Sequence, residues 1–206
     1  MTNQHLLEKL KDNICLSGGA EGADLQFGMV SGSIGYSVIH WSFPGHKSNA
    51  PTQEIVVLSE EQLKIADEFC LKANEYLKRK YPPADNYTRN LLRRNYFQIA
   101  WSNSVYAIST IKDNMVEGGT AWAIAMFLDK FEYKSCDCYV FCQEVGYWFK
   151  WDGEWKKIYE PPTPKNIFAG IGTRKLNFNG KLAIRTLMNY ENCRRFDHMN
   201  RQQFNK

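Results

Sequence analysis

The chain has no uninterrupted apolar run near the ~18 residues that a membrane span requires, so none is predicted. Met1 to Leu10 lacks the charged start and apolar middle of a secretory leader, which leads to an expectation of a cytoplasmic protein with reduced thiols. Charge of one sign is not in large excess either. Lys and Arg number 26 against 22 Asp and Glu, a net +4 that neither demands nor excludes nucleic acid. Internal repeats and low-complexity segments are missing too. With 44% hydrophobic and 23% charged residues, the composition is that of an ordinary globular chain rather than a disordered or fibrous one. Aromatic area is plentiful: 12 Phe, 6 Trp and 11 Tyr supply the apolar surface for a real core. The 206 residues therefore predict one compact unit.

Six cysteines occur, Cys15, Cys70, Cys136, Cys138, Cys142 and Cys193. Cys136, Cys138 and Cys142 suggest a metal at first sight, but they lack a C-x-x-C knuckle and a nearby histidine. They share parity in a strand-like run, which favours small core hydrophobes over zinc ligands. No metal or cofactor is expected.

Hydrophobic periodicity and turn residues divide the chain. A short amphipathic helix is predicted over 4–11, a buried strand over Asn13–Ser17, and a helix over Ala20–Met29. Tyr36–Trp41 reads as a strand followed by a long polar loop. Ser59 and Gln62 form a capping-box signature opening a helix to about Lys80. Further predicted elements are a helix over Thr88–Trp101, a strand over Ser104–Ser109, and a loop over Asp113–Gly119. A buried helix over Thr120–Leu128 and a strand over Cys136–Phe141 follow. Residues 145–159 carry Trp148, Trp151 and Trp155 around Asp152-Gly153, a strong hairpin signal. Residues 160–165 form a proline-rich tether, and 166–190 supply a last strand and a helix beginning near Asn179. Recurring strand–turn–helix units predict an α/β fold, a Rossmann-like, mostly parallel sheet with helices on both faces, plus the aromatic hairpin.

Three strand-to-helix junctions are glycine-rich: Ser17-Gly-Gly-Ala-Glu-Gly-Ala-Asp24, Glu117-Gly-Gly-Thr-Ala-Trp122 and Ala169-Gly-Ile-Gly-Thr-Arg174. Glycine permits close backbone approach and positive φ. A helix N-terminus just beyond offers free N–H groups that suit phosphate. In a parallel sheet such junctions gather at the carboxyl edge. The expected ligand contacts are Ser17, Gly18, Gly19, Ala20, Gly118, Gly119, Thr120, Gly170, Gly172 and Thr173, with Arg94 and Arg174 supplying charge. Asp24 either holds a ribose or base donor or simply favours its helix N-terminus. Asn95 orients the glycine loop or the ligand. His40, Trp41 and His46 offer an adenine stack or a buried Trp41 beside a satisfied His40.

Ser17-Gly-Gly-Ala-x-Gly-x-Asp24, Arg93-Arg94-Asn95-Tyr-Phe-Gln98 and Gly118-Gly-Thr120, in that order, resemble the SLOG superfamily. That group includes the DNA-processing protein A fold and the phosphoribohydrolases of the "lonely guy" group. Phe168-Ala-Gly-Ile-Gly-Thr-Arg174 resembles the segment with which many members begin, yet it comes last here. The resemblance therefore implies a circular permutation in which 166–190 returns to the sheet beside Asn13–Ser17. It also implies binding of a nucleotide-derived phosphate compound of the ADP-ribose, NAD-derivative or cyclic-nucleotide type, in a bacterial or phage defence-signalling setting. Self-association is implied as well. Phosphoribohydrolase activity is the alternative, although Ala123 occupies the place of the family's glutamate, leaving Glu117 and Asp24 as carboxylates. A third reading is single-stranded DNA binding through Trp151, Trp155, Lys156 and Lys157.

Overall fold

A computed structural model describes residues 13–189. The helix expected over 4–11, Cys193 and the polar tail lie outside the described residues. Strands are β1 (Ile14–Ser17), β2 (Ser37–Ser42), β3 (Ile55–Val57), β4 (Ser104–Ser109), β5 (Ile111–Lys112), β6 (Met115–Val116), β7 (Cys138–Cys142), β8 (Tyr147–Trp151), β9 (Trp155–Ile158) and β10 (Ile167–Gly172). Helices are α1 (Ala23–Ser33), α2 (Glu60–Ile65), α3 (Asp67–Leu77), α4 (Asn86–Ile99), α5 (Thr120–Asp129) and α6 (Phe178–Leu187). Eight strands form one sheet in the order β3-β2-β1-β10-β4-β7-β8-β9. From β3 through β7 neighbouring strands are parallel, and β8 and β9 add an antiparallel edge. This is an α/β fold with a Rossmann-like, mostly parallel sheet.

Strand alternation decides which helices cover which face. Tyr106, Ile108, Phe168, Tyr139 and Phe141 pack with Phe27 and Val30 of α1 and Ile184 and Leu187 of α6. The intervening Val105, Ala107, Ala169, Ile171, Cys138 and Val140 pack with Cys70 and Ala73 of α3 and with α5. Ile14, Leu16, Ile39 and Trp41 face Leu63 of α2 and Phe97 of α4. Burial on both sides makes β4 apolar throughout, apart from its end serines.

The last strand among the described residues sits in the middle. β10 pairs with β1 through Ile14↔Ile167 and with β4 through Phe168↔Ser104. The preceding proline-rich stretch is pinned on the α1–α6 face, where Tyr106 and Tyr36 hydroxyls donate to the Pro162 and Pro164 carbonyls at 2.9 and 3.2 Å.

Four details differ from the sequence-based expectation. The capping box at Ser59 is present, but the helix it opens is divided at Ala66 into α2 and α3. The expected loop over 113–119 begins with a small hairpin, β5–β6, whose turn residues Asp113 and Asn114 take φ of 49° and 58°. The aromatic hairpin is part of the main sheet, which β8 extends by pairing with β7. Cys136 precedes β7, and Cys136 and Cys138 are both buried in the α5-side core, where desolvation pushes the Cys136 thiol up to about 11. Among the described residues, no helix is long and apolar enough to cross a membrane.

A chain ending at Lys165 loses a central strand, including the fully buried Phe168 and Ala169. Circular dichroism melts of that truncation should show no cooperative transition. A sharp melt like that of the full chain would contradict the placement of β10.

Candidate functional site

Because β1, β10, β4 and β7 are parallel, their carboxyl ends share one rim. The chain leaves β1 toward β2 on one side and β4 toward β7 on the other, the kind of reversal in strand order that opens a crevice. A cavity of about 740 Å³ lies there. Its walls include Ala20 and Asp24 from the first glycine turn, Gly118, Gly119 and Thr120 from the second, and Gly172, Thr173 and Arg174 from the third. Arg94 and Asn95 of α4 face the same space. The three turns meet.

Asp24 ties the first turn to the third and to α4. Its carboxylate accepts from the Gly172 amide at 2.8 Å, from Arg94 Nη1 at 3.0 Å and from Gln98 Nε2 at 3.1 Å. Its backbone carbonyl accepts from Ser17 Oγ at 2.7 Å. Asp24, Arg94, Gln98 and Ser17 are all buried. The carboxylate is thus occupied by protein donors, while Asp24 stands in the first turn of α1 and in the cavity wall. The first and third turns also interlock directly. The Ala23 amide donates to the Thr173 carbonyl at 3.0 Å, and a Cβ on Gly22 would lie 2.4 Å from that oxygen.

Several expected ligand contacts have other roles. The Arg94 guanidinium lies against Gly18, where a Cβ would come within 1.2 Å of Nη1, so this glycine makes room for an arginine. Gly19 has φ of 61° and its carbonyl accepts from Ser48 Oγ at 2.7 Å. Gly170 faces the Phe27 ring, 2.6 Å from where its Cβ would be, and serves packing. Neither Ser17, Gly18, Gly19 nor Gly170 lines the cavity. Asn95 orients the second turn, its Nδ2 donating to the Gly119 carbonyl at 3.2 Å. Trp41 is fully buried against Phe97 and Trp101 and offers no stacking face.

The cavity's charge is mixed. Arg174 and Lys175 stand exposed on one lip, while Glu117 and Glu144 are exposed elsewhere on the wall. Arg94 is 3% exposed, and its Nε has no hydrogen-bond partner among the described residues. Neither α1 nor α5 has a side-chain cap at its N-terminus. Ala123 lines the wall with a methyl group, which can neither take a proton nor stabilise a cation.

In the aromatic hairpin, the four residues expected to meet a DNA strand have partners within the chain. Trp151 is buried with its Nε1 donating to the Tyr133 carbonyl at 3.1 Å, and Trp155 packs on it. Lys156 pairs with Asp152 at 2.8 Å, and Lys157 lies over the Tyr147 ring.

Sequence reasoning missed Gln98, Gln143 and Asn177. Gln143 follows β7, accepts from the Asn177 amide at 2.8 Å and donates to the Lys175 carbonyl at 3.2 Å, tying the β7 end to the third turn. The signal was available: residues just beyond any parallel strand belong to the same rim. Compared with family models, with curated protein sequences and with solved structures, the chain gives no match.

Behind the first turn, His40 is buried, and both its ring nitrogens lack hydrogen bonds among the described residues. Glu54 Oε2 is 3.6 Å from Nε2, and burial raises that carboxyl too. Burial first, then the charge of Arg94, pushes His40 down to about 4. His46 is likewise lowered to about 4 by burial, Arg94 and Arg174. An unfolded histidine titrates near ~6.5, so between that pH and 4 the unfolded chain binds protons that the folded chain refuses. Stability should therefore fall as pH drops from about 6.5 toward 4. Urea unfolding across that window checks the sign, and His40→Gln should remove roughly half of the slope. A flat wild-type profile would contradict the buried neutral histidines.

Proposed function

We propose that the chain binds a phosphate-bearing, nucleotide-derived small molecule in this cavity, acting as a sensor or sequestering protein. The observation that carries this reading is the convergence, at one 740 Å³ cavity, of the uncapped α5 N-terminus, the buried Arg94 with its unpartnered Nε, and the exposed Arg174. Each suits a multiply charged oxyanion: amides and the helix dipole favour negative charge, and guanidinium groups add charge-assisted hydrogen bonds. The size lies within the range of small-molecule sites. The motif resemblance to the SLOG superfamily supports the same ligand class and the defence-signalling setting. Ala123 in the wall and the commitment of the Asp24 carboxylate to Arg94, Gln98 and Gly172 favour binding over N-glycosidic hydrolysis, which would fall to Glu117.

Thermal-shift and calorimetric titrations with ADP-ribose, NAD, nucleoside monophosphates and cyclic nucleotides test the proposal. At least one should raise the melting midpoint, as any ligand selective for the folded state does. Arg174→Ala should weaken that ligand about tenfold, equivalent to one charge-assisted contact, without altering the melt of the free protein. No response across the panel would overturn the reading.

A further inference from the structure

We infer that Arg79, outside the cavity, is a positioning residue that aims the second glycine turn at the ligand. This rests on the anion-binding reading above. Successive carbonyls of that turn are each held by a side-chain donor. Arg79 Nη2 reaches the Val116 carbonyl at 3.5 Å and Arg79 Nη1 the Gly118 carbonyl at 2.6 Å. Ser109 Oγ donates to the Glu117 carbonyl at 3.4 Å, and Asn95 Nδ2 to the Gly119 carbonyl at 3.2 Å. The amides of Gly118, Gly119 and Thr120, by contrast, donate to no group among the described residues.

A trans peptide is planar, with its C=O and the following N–H pointing in opposite directions. Arg79 does not line the cavity, whereas Gly118, Gly119 and Thr120 do. Drawing the Gly118 carbonyl toward Arg79 therefore turns the Gly119 N–H toward the cavity. Ser109 and Asn95, themselves in the cavity wall, hold the flanking carbonyls, so the Gly119 amide is set before an anion arrives, at the N-terminus of a helix whose dipole favours it. Gly118 pays no steric penalty for its φ of 68°. The chain brings Arg79 to this place through Lys78, which ends α3 in the left-handed region at φ 52°. The guanidinium fork suits the task because a single rigid plane reaches two carbonyls, which an ammonium point charge does not.

The test is a titration of the full-length, ¹⁵N-labelled chain with inorganic phosphate, followed by amide resonances. In the wild type the Gly118, Gly119 and Thr120 signals should move. Arg79→Ala should bind phosphate about tenfold more weakly, with its altered signals confined to that turn and its immediate neighbours. Arg79→Lys, which keeps the charge but not the fork, should lose about threefold. Wild-type affinity in Arg79→Ala, or complete recovery in Arg79→Lys, would overturn the positioning role. Wild-type amides indifferent to both phosphate and ADP-ribose would instead overturn the site itself, and this inference with it.

Discussion

One buried carboxylate organises the rim that carries the candidate site. Asp24 sits where the end of β1, the end of β10 and the inner face of α4 come together, and it takes a hydrogen bond or ion pair from each of the latter two. A carboxylate in such a position is costly unless its lone pairs are filled, and Gly172, Arg94 and Gln98 fill them. The same contacts place Arg94 over Gly18, with its Nε buried and unpartnered among the described residues. Stability and site geometry thus share a residue. What holds the turns together also decides which groups remain free to meet a ligand.

Chain order has a mechanical consequence. The strand that ends at Gly172 and leads into Thr173 and Arg174 is the last among the described residues and lies inside the sheet. It therefore forms contacts with β1 and β4 that are distant along the chain, and loop-closure entropy opposes them until they are made. The cavity is complete only when that strand is in place. Tyr36 and Tyr106 help by fixing the proline-rich approach, whose stiff backbone has little freedom to lose.

Much of this was legible in the residues. Glycine turns after apolar strands located all three parts of the rim, and periodicity located the main helices. The division of labour among the glycines was not legible. Gly118 and Gly119 face the cavity, while Gly18 accommodates Arg94 and Gly170 accommodates Phe27, contacts made by residues 76 and 143 positions away in the chain. The partners of Asp24 were not legible for the same reason: Arg94, Gln98 and Gly172 are near only after folding. The β5–β6 hairpin escaped because two-residue strands leave no alternation, although Asp113-Asn114 suits two left-handed turn positions. The aromatic hairpin's own geometry was clear, but its pairing with β7 depends on sheet order, which local pattern does not contain.

The most direct test of the central claim is the substitution Asp24→Ala, read by amide hydrogen exchange at Gly172. The variant removes both acceptor oxygens, so the Gly172 amide, Arg94 and Gln98 lose their shared partner together. If Asp24 assembles the rim, Gly172 should lose most of its protection and the full chain should be less stable by roughly 3–5 kcal/mol, the cost of leaving a buried arginine unpaired. Unchanged protection at Gly172 with unchanged stability would contradict the account.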